Sequence, residues 1–278
     1  MRMHALQTGT VAIKERQRNG VGRGPLRQIN TLLDPTWTAA LPIFTWVIEH
    51  PEGLIVVDTG EVARATAAGY FPQWNPYYRL GVRLAVQPEE EIGPRLRGIG
   101  FSPSDVRWVV LTHLHTDHAG GLAHFPRAEI LLTRREYDGA AGLSGQLRGD
   151  LPQHWPAWFA PRLIHFADSP VGPFAHSHTL TRAGDVSLVP TPGHTLGHMS
   201  VLVQHDDIAW LFAGDTSYTE GLMLAGAIDG VSADVRAARQ TLGHIQQLAR
   251  TMPTVYLPSH DPDSAMRLTG RQLVARVG

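Results

Sequence analysis

A short segment of the sequence, THLHTDHAGG, carries three histidines and an aspartate at close, fixed spacings. It directly follows Arg107–Leu111, an apolar run with the length and composition of a strand. A strand that ends in a turn can aim His113 and His115, as alternate residues, toward one point, while Asp117 and His118 beyond the bend face a second point nearby. Imidazole and carboxylate groups together suit zinc, manganese, iron or cobalt. The segment therefore predicts a metal site.

Further histidines and carboxylates stand at the ends of other strand-like runs. Four ligands divided between two ions are too few, so a centre of this kind requires more. Active-site groups are commonly placed where a rigid strand stops. The candidates are His194 after Val186–Pro190, Asp215 after Ile208–Phe212 and His260 after Thr254–Leu257.

The composition narrows the chemistry that this chain can perform. Its 278 residues include 15 histidines and no cysteine, which excludes disulfides, thiolate ligands, iron–sulfur clusters and a cysteine nucleophile. The formal net charge of -1 gives no support for binding to nucleic acid or to a membrane. The N-terminus lacks an apolar core of signal-peptide length, and no apolar run approaches the roughly 18 residues of a membrane span. We therefore expect a cytoplasmic protein.

The elements that must position the metal-binding groups are short strands mixed with helices. No linker or repeat interrupts the chain, so residues 1–278 are predicted to form a single domain. The clearest helix covers about Ala233–Thr251, where apolar residues recur at spacings of three and four. Because strands and helices do not alternate strictly, the pattern favours an α/β or α+β fold in which packed sheets are covered by helices. Further strand-like runs lie at Ile43–Glu49, Leu54–Val57, Glu129–Thr133 and Ser200–Gln204.

These motifs resemble the pattern of the metallo-β-lactamase superfamily, in which His-x-His-x-Asp-His is followed by a further His, Asp and His. Asp58 and the two residues after it also match the early Asp-Thr-Gly of that family. The resemblance covers nearly the whole chain and implies an αββα sandwich, two mixed sheets flanked by helices, with two divalent metal ions at one edge. Zinc is the first expectation for the ions, and manganese, cobalt or iron are alternatives. The resemblance implies one ion on His113, His115 and His194, a second on Asp117, His118 and His260, Asp215 as a bridge between them, and Asp58 as a residue that orients the ligands or their loop.

Within the superfamily the chain is most similar to the N-acyl-homoserine lactonase group. The resemblance lies in Trp46–His50, in Thr191–His198 and above all in Asp215–Tyr218. The absence of cysteine separates the chain from β-lactamases with a thiolate ligand, and Asp215 separates it from those with three histidines. One departure is Thr116, where many lactonases carry phenylalanine, so the acyl-chain preference stays open.

The function implied by this resemblance is hydrolysis of lactones, with N-acyl-homoserine lactones as the expected substrates and quorum quenching as the role. A metal-bridging hydroxide would attack the ester carbonyl, and Tyr218 would donate a hydrogen bond to the developing oxyanion. The ion near Asp117 would receive the leaving alkoxide, and Asp215 would pass it the proton. The expected partner is a small-molecule lactone or ester, and the oligomeric state, with a homodimer among the options, stays open.

Two other enzyme classes are compatible with the same residues. One is another ester or organophosphate hydrolase on the dinuclear scaffold, and the other is an iron-dependent oxygenase, because the ligand set also accepts iron. Among the other histidines, His198 is predicted to be structural, whereas His176 and His178 are predicted to be solvated loop residues. Aromatic residues are concentrated in segments 70–78 and 155–174, and this favours equally a pocket mouth or lid and simple loop packing or a subunit contact.

Overall fold

Two mixed sheets stack face to face in the computed structural model, which describes residues 1–275. The first sheet has the strand order β4-β1-β2-β3-β5-β6-β7 and the second the order β12-β11-β10-β9-β8. The strands of the first sheet are β1 (Arg2–Ile13), β2 (Leu41–His50), β3 (Gly53–Val57), β4 (Val82–Ala85), β5 (Val106–Val110), β6 (Glu129–Thr133) and β7 (Arg162–Ile164). Those of the second sheet are β8 (His178–Thr179), β9 (Val186–Pro190), β10 (Met199–His205), β11 (Ile208–Gly214) and β12 (Thr254–Pro258).

Helices cover the outer face of each sheet. The longest, α9, begins after Asp234, whose side chain accepts hydrogen bonds from two main-chain N–H groups of the first turn, each at 2.9 Å. The α-helices of the described residues are α1 (Glu15–Arg18), α2 (Pro25–Leu32), α3 (Pro76–Leu80), α4 (Ile92–Gly98), α5 (Thr116–Ala119), α6 (Arg134–Ala140), α7 (Gly142–Arg148), α8 (Glu220–Leu224), α9 (Val235–Thr251) and α10 (Ser264–Gly270). None of the helices in residues 1–275 combines the length and the apolar character that crossing a bilayer requires.

Strand alternation explains why the core has layers. In β3, Ile55 points into the layer between the sheets, whereas its neighbour Val56 points outward toward α4. The inner layer draws on both sheets, and the rings of Trp46 and Phe212 meet there with centroids 5.4 Å apart. On the far side, Leu242 of α9 packs in the layer that covers the second sheet. The predicted αββα sandwich is confirmed.

The structure differs from the sequence-based expectations at one histidine and in its strands, because β4 and β7 were not predicted and neither was β1. Strand β1, with 12 residues, was not among the predicted strands, yet it lies inside the first sheet between β2 and β4. His178 belongs to β8 and is half-buried, because its main chain pairs with Leu188 of β9. The prediction that His178 is a solvated loop residue is therefore wrong, whereas His176 is exposed as expected.

Candidate metal centre

The predicted ligands lie beyond the C-terminal ends of strands that meet at one edge of the sandwich. Strands β9 and β11 are both antiparallel to β10, and β12 is parallel to β11, so these three strands end on the same side. His194, Asp215 and His260 follow them in that order. The first sheet contributes the segment after β5, which carries His113 and His115 and continues into α5 with Asp117 and His118.

Three imidazole nitrogens converge on one point. The Nδ1 atom of His115 lies 3.0 Å from Nε2 of His113 and 3.0 Å from Nε2 of His194. The Nδ1 atoms of His113 and His194 have other partners. Thr112 Oγ1 lies 3.0 Å from Nδ1 of His113, and Asp229 Oδ2 lies 3.3 Å from Nδ1 of His194. The three ring nitrogens that remain face one another, which is the arrangement of a three-histidine metal site.

A second group lies beside the first, and one carboxylate reaches both. His118, His260 and Asp117 place their ligand atoms within 4.8 Å of one another. Asp215 Oδ1 lies 3.3 Å from His118 Nε2 and 3.4 Å from His260 Nε2, while Oδ2 lies 3.5 Å from Nε2 of His194. Asp215 therefore spans the two groups.

The donor set fits divalent metal ions. His118 Nε2 and Asp215 Oδ1 are buried, and neither makes a hydrogen bond within residues 1–275. A buried polar atom without a partner costs about 1–3 kcal/mol, so two such atoms facing each other are typical of a site that receives a cation.

The protonation states of His113, His115 and Asp215 agree with that fit. Burial, followed by the neighbouring histidines, holds the pKa of His113 well below its usual range, and burial lowers the pKa of His115 to about 3. Both rings are therefore neutral and offer a lone pair at pH 7. Burial by itself would raise the pKa of Asp215, but His260 and His118 outweigh it and hold that pKa well below the usual range. Asp215 is ionised. At His118, His194 and His260 burial by itself would lower the pKa values, but the neighbouring carboxylates outweigh it and raise them, so a cation must displace protons there.

Asp58 fixes the orientation of one ligand and of the loop that carries the others. It follows β3 with a positive φ of 60°, a conformation that aspartate tolerates better than most residues. Its Oδ1 accepts the N–H of Thr112 at 2.7 Å, and its Oδ2 lies 2.8 Å from Nδ1 of His118. Because Nδ1 is held by the carboxylate, Nε2 of His118 faces the cluster.

Two further carboxylates, Glu136 and Asp229, support the ligands, and the sequence motifs did not indicate either of them. Glu136 in α6 accepts the N–H of Leu114 at 3.1 Å with Oε1 and the hydroxyl of Thr195 at 2.6 Å with Oε2. It thereby ties the His113–His115 loop to the loop of His194. Glu136 comes three residues after the end of β6, so the rule that polar groups follow strand ends could have found it. Asp229, the partner of His194, follows no strand and belongs to no motif.

His198 is a structural residue in this arrangement, as the sequence suggested. Its Nε2 accepts the N–H of Asp215 at 3.1 Å, and its Nδ1 lies 2.9 Å from Thr191 Oγ1. Thr191 then contacts the hydroxyl of Ser200 at 2.8 Å, which donates to the carbonyl of Ala213 at 3.3 Å. Burial lowers the pKa of His198 to about 3, so the ring is a neutral link in this chain.

Tyr218 lies at the border of the second group. Its ring is nearly parallel to that of His260, with centroids 5.7 Å apart, and only 5% of the residue is exposed. The side-chain amide of Gln17 donates to its hydroxyl at 3.0 Å. Burial, with Asp215 and Tyr77, holds the pKa of Tyr218 well above its usual range, so the phenol remains a hydrogen-bond donor at pH 7.

Most of the aromatic residues in segment 70–78 pack against neighbouring loops. Tyr70 stacks on His154 with centroids 4.1 Å apart, and Phe71 stacks on Tyr78 at 4.4 Å. The hydroxyl of Tyr78 donates to the carbonyl of Gly149 at 2.7 Å. For these three residues the loop-packing alternative is the one observed.

A family model described as the metallo-beta-lactamase superfamily matches residues 38–260. The chain belongs to the metallo-beta-lactamase superfamily. A probable metallo-hydrolase of Mycobacterium tuberculosis is 34% identical over 208 residues, which are 72% of this chain and 66% of the relative. This chain therefore spans about two thirds of the length of that mycobacterial relative.

Relatives of this superfamily member include proteins named N-acyl homoserine lactonase. The one from Bacillus thuringiensis is 30% identical over 195 residues, covering 69% of this chain and 70% of the relative. AttM of Agrobacterium fabrum is 25% identical over 279 residues, covering 95% and 94%. The predicted similarity to the lactonase group is confirmed.

Solved structures with the same fold include lactonases. An N-acyl homoserine lactone hydrolase with the product N-hexanoyl-L-homoserine at its catalytic metal centre has a TM-score of 0.73 at 20% identity, covering 94% of this chain and 93% of the other. AidC, described as a dizinc quorum-quenching lactonase, has a TM-score of 0.63 at 16% identity, covering 95% and 88%. At these identities the likeness establishes the fold.

Proposed function

We propose that this superfamily member hydrolyses the ester ring of lactones, with N-acyl-homoserine lactones as substrates. The observation that carries the proposal is Asp215, which lies between the two ligand groups, followed three residues later by Tyr218 beside the second group. This combination provides a site for two cations together with a phenol that can donate to an ester oxygen. The relatives named as lactonases support the choice of substrate.

We infer that the two groups hold zinc, since imidazole and carboxylate ligands suit that ion and a neighbour in fold is described as a dizinc enzyme. His113, His115 and His194 are the proposed ligands of one ion, Asp117, His118 and His260 those of the other, and Asp215 the bridge. When bound, such ions polarise an ester carbonyl and lower the pKa of water toward neutrality.

Two side chains of the protein, those of Tyr218 and Asp215, then act in the reaction. The hydroxyl of Tyr218 donates a hydrogen bond to the carbonyl oxygen as that oxygen gains negative charge. Asp215, which is ionised, takes up the proton of the attacking water and delivers it to the leaving alkoxide. A new bond joins the water oxygen to the carbonyl carbon, the ring C–O bond breaks, and the product is a hydroxy acid. Asp117 is half-buried. In the proposed mechanism it lies on the side of the site where the alkoxide leaves.

A panel of substrates tests the proposal. The protein is stripped with a chelator, reconstituted separately with zinc, manganese and cobalt, and assayed on short- and long-chain N-acyl-homoserine lactones, a simple aliphatic lactone, an aryl ester and a phosphotriester. We expect turnover of the acyl-homoserine lactones, with products heavier by one water in the mass spectrum, and no turnover by the stripped protein.

Other outcomes separate the alternatives. Turnover of the aryl ester or the phosphotriester without turnover of any lactone would replace the substrate assignment by another hydrolase. Consumption of oxygen by iron-loaded protein, without hydrolysis, would replace the reaction class. Cytoplasmic location and a homodimer stay predictions, checked by cell fractionation and by light scattering.

A further inference from the structure

A second phenol lies next to Tyr218, and one amide holds both. The Nε2 atom of Gln17 is 2.9 Å from the hydroxyl oxygen of Tyr77 and 3.0 Å from that of Tyr218. An amide N–H₂ group has two hydrogens, so it can donate to both oxygens at once. Each tyrosine then accepts a hydrogen bond from Gln17 and keeps its own O–H hydrogen for another partner.

The side-chain amide of Gln17 is buried, and its orientation leaves one buried oxygen atom without a hydrogen bond. Gln17 is 2% exposed, and its Oε1 atom is buried without a hydrogen-bond partner among residues 1–275. The reverse orientation would turn Oε1 toward the phenols, where it would accept both O–H hydrogens and leave neither for a substrate. The orientation in the structure leaves both hydrogens available.

The main chain of Gln17 is hydrogen-bonded to a segment that also contacts the metal centre. Its carbonyl accepts the N–H of Gly230 at 2.7 Å, and Gly230 adjoins Asp229, the partner of His194. The approach is close, because a Cβ atom on Gly230 would lie 2.3 Å from the carbonyl oxygen of Arg16 and 3.1 Å from Cα of Gln17. Only glycine allows the turn to press against α1 in this way.

Tyr77 lies within electrostatic range of the carboxylates of the site. It is half-buried, and burial, with smaller contributions from Asp117, Asp215 and Asp229, raises its pKa above the usual range. Its phenol is therefore a protonated donor near the carboxylates of the site.

We propose that Gln17 is a positioning residue that holds the hydroxyls of Tyr77 and Tyr218 as a pair of hydrogen-bond donors to the bound ester. Tyr218 donates to the carbonyl oxygen, and Tyr77 donates to a second oxygen or carbonyl of the same substrate. This inference rests on the proposed ester-hydrolase function of the site and adds a specificity-determining pair to it.

The test compares two substitutions at one position. Gln17→Leu removes the donor, while Gln17→Glu keeps the shape but replaces the donor by a group that accepts hydrogen bonds from both phenols. We expect either change to lower kcat/KM by about tenfold to hundredfold, through kcat where Tyr218 meets the charge of the transition state and through KM where Tyr77 binds a second substrate oxygen. A role in packing alone predicts that Gln17→Glu, the isosteric change, retains the wild-type kcat/KM.

Two readouts besides activity accompany the assay. Elemental analysis is expected to show unchanged metal content, and calorimetry is expected to show weaker binding of the ring-opened product. The matched control is Gln246→Leu, which removes an amide that donates to the carbonyl of Met223 at 2.8 Å on the outer side of the second sheet. The control is expected to retain the wild-type kcat.

A mutant cycle assigns the effect to the phenols. In a Tyr77→Phe, Tyr218→Phe background, Gln17→Leu is expected to cost less than about twofold, because the groups that it positions are absent. The same loss in both backgrounds would overturn the proposal. Should the Gln17 variants fail to fold, Tyr77→Phe alone decides, since an unchanged kcat/KM in that variant removes the second donor.

The two hypotheses fail separately. Wild-type protein that turns over none of the lactones contradicts the lactonase assignment, and the Gln17 series is then measured on the ester that it does hydrolyse. Wild-type lactone turnover that Gln17→Glu leaves intact contradicts the positioning role and leaves the lactonase assignment in place.

Discussion

The carboxyl group of Glu61 is fully buried three residues after Asp58. Its Oε1 accepts the N–H of Val62 at 2.9 Å and the hydroxyl of Tyr70 at 3.2 Å, whereas Oε2 has no partner within the described residues. Burial raises its pKa to about 8, against an ordinary value of 4.5. At neutral pH the folded protein therefore retains a proton at Glu61 that the unfolded chain releases.

This retained proton makes the stability of the metal-free protein depend on pH. Between about pH 4.5 and pH 8 Glu61 binds its proton more tightly in the folded state than in the unfolded state, so its contribution to the free energy of unfolding falls as the pH rises. The slope due to Glu61 is at most about 1.4 kcal/mol for each pH unit. In Glu61→Gln the neutral amide removes this contribution, and we expect the stability difference between variant and wild type to change in favour of the variant from pH 5 to pH 8.

Urea unfolding of the metal-free proteins at three pH values measures this difference. Glu89→Gln, at an exposed carboxylate, serves as the control and is expected to run parallel to the wild type. Parallel curves for Glu61→Gln and wild type would mean that Glu61 is ionised in the folded state.

At the scale of elements, α6 connects the two loops that carry the three-histidine group. Its residue Glu136 bonds to Leu114 on one loop and to Thr195 and Gly197 on the other. Its main-chain N–H in turn donates to Thr133 at the end of β6, which starts the helix. One buried carboxylate therefore sets the distance between His113–His115 and His194.

Glu136→Ala should weaken metal binding more than it weakens the fold. The substitution leaves two buried N–H groups without an acceptor and frees the two loops, so we expect a loss of about 10–100-fold in zinc affinity, as is usual for residues that support ligands. Competition with a chromophoric chelator measures the affinity. Asp138→Ala, on the exposed side of the same helix, is the control, and equal affinities in the two variants would exclude this role for Glu136.

The parts of the site that the sequence predicts are those with local signals. The ligands occur where apolar runs stop, so strand prediction and ligand prediction support each other. Strand β1 has no such signal, since Gly9 with a φ of 104° interrupts it and its pairing with β2 shifts register between Gln7 and Thr10. Its extended form depends on β2 and β4, which are distant in sequence. Asp229 likewise has no local signal in the sequence, because its place in the site comes from its contact with His194, which is distant in sequence.

At the scale of the whole molecule, the candidate centre joins the two sheets. His113, His115 and His118 follow a strand of the first sheet, whereas His194, Asp215 and His260 follow strands of the second. Any cation held by both sets links the two layers at their common edge.

Metal removal should therefore destabilise the entire sandwich. A ligand that binds only the folded state stabilises it by mass action, so we expect chelation to lower Tm and added zinc to restore it. Because the chain is predicted to form a single domain, we also expect it to unfold in one transition with or without metal. Differential scanning calorimetry measures both quantities. His194→Ala, treated in the same way, should show a smaller shift, and an unchanged wild-type Tm after verified metal removal would contradict the assigned centre.

Residues 1–37 lie before the part of the chain that matches the family, and they contain β1 and Gln17. The ligand groups and both phenols come from the part that matches the family model, while the amide that donates to both phenols comes from the segment before it. In the proposed arrangement, a residue outside the matched part thus aligns two hydrogen-bond donors within it. Exchange of the first 37 residues between relatives would therefore change the residue that aligns the two phenols while every metal ligand is retained.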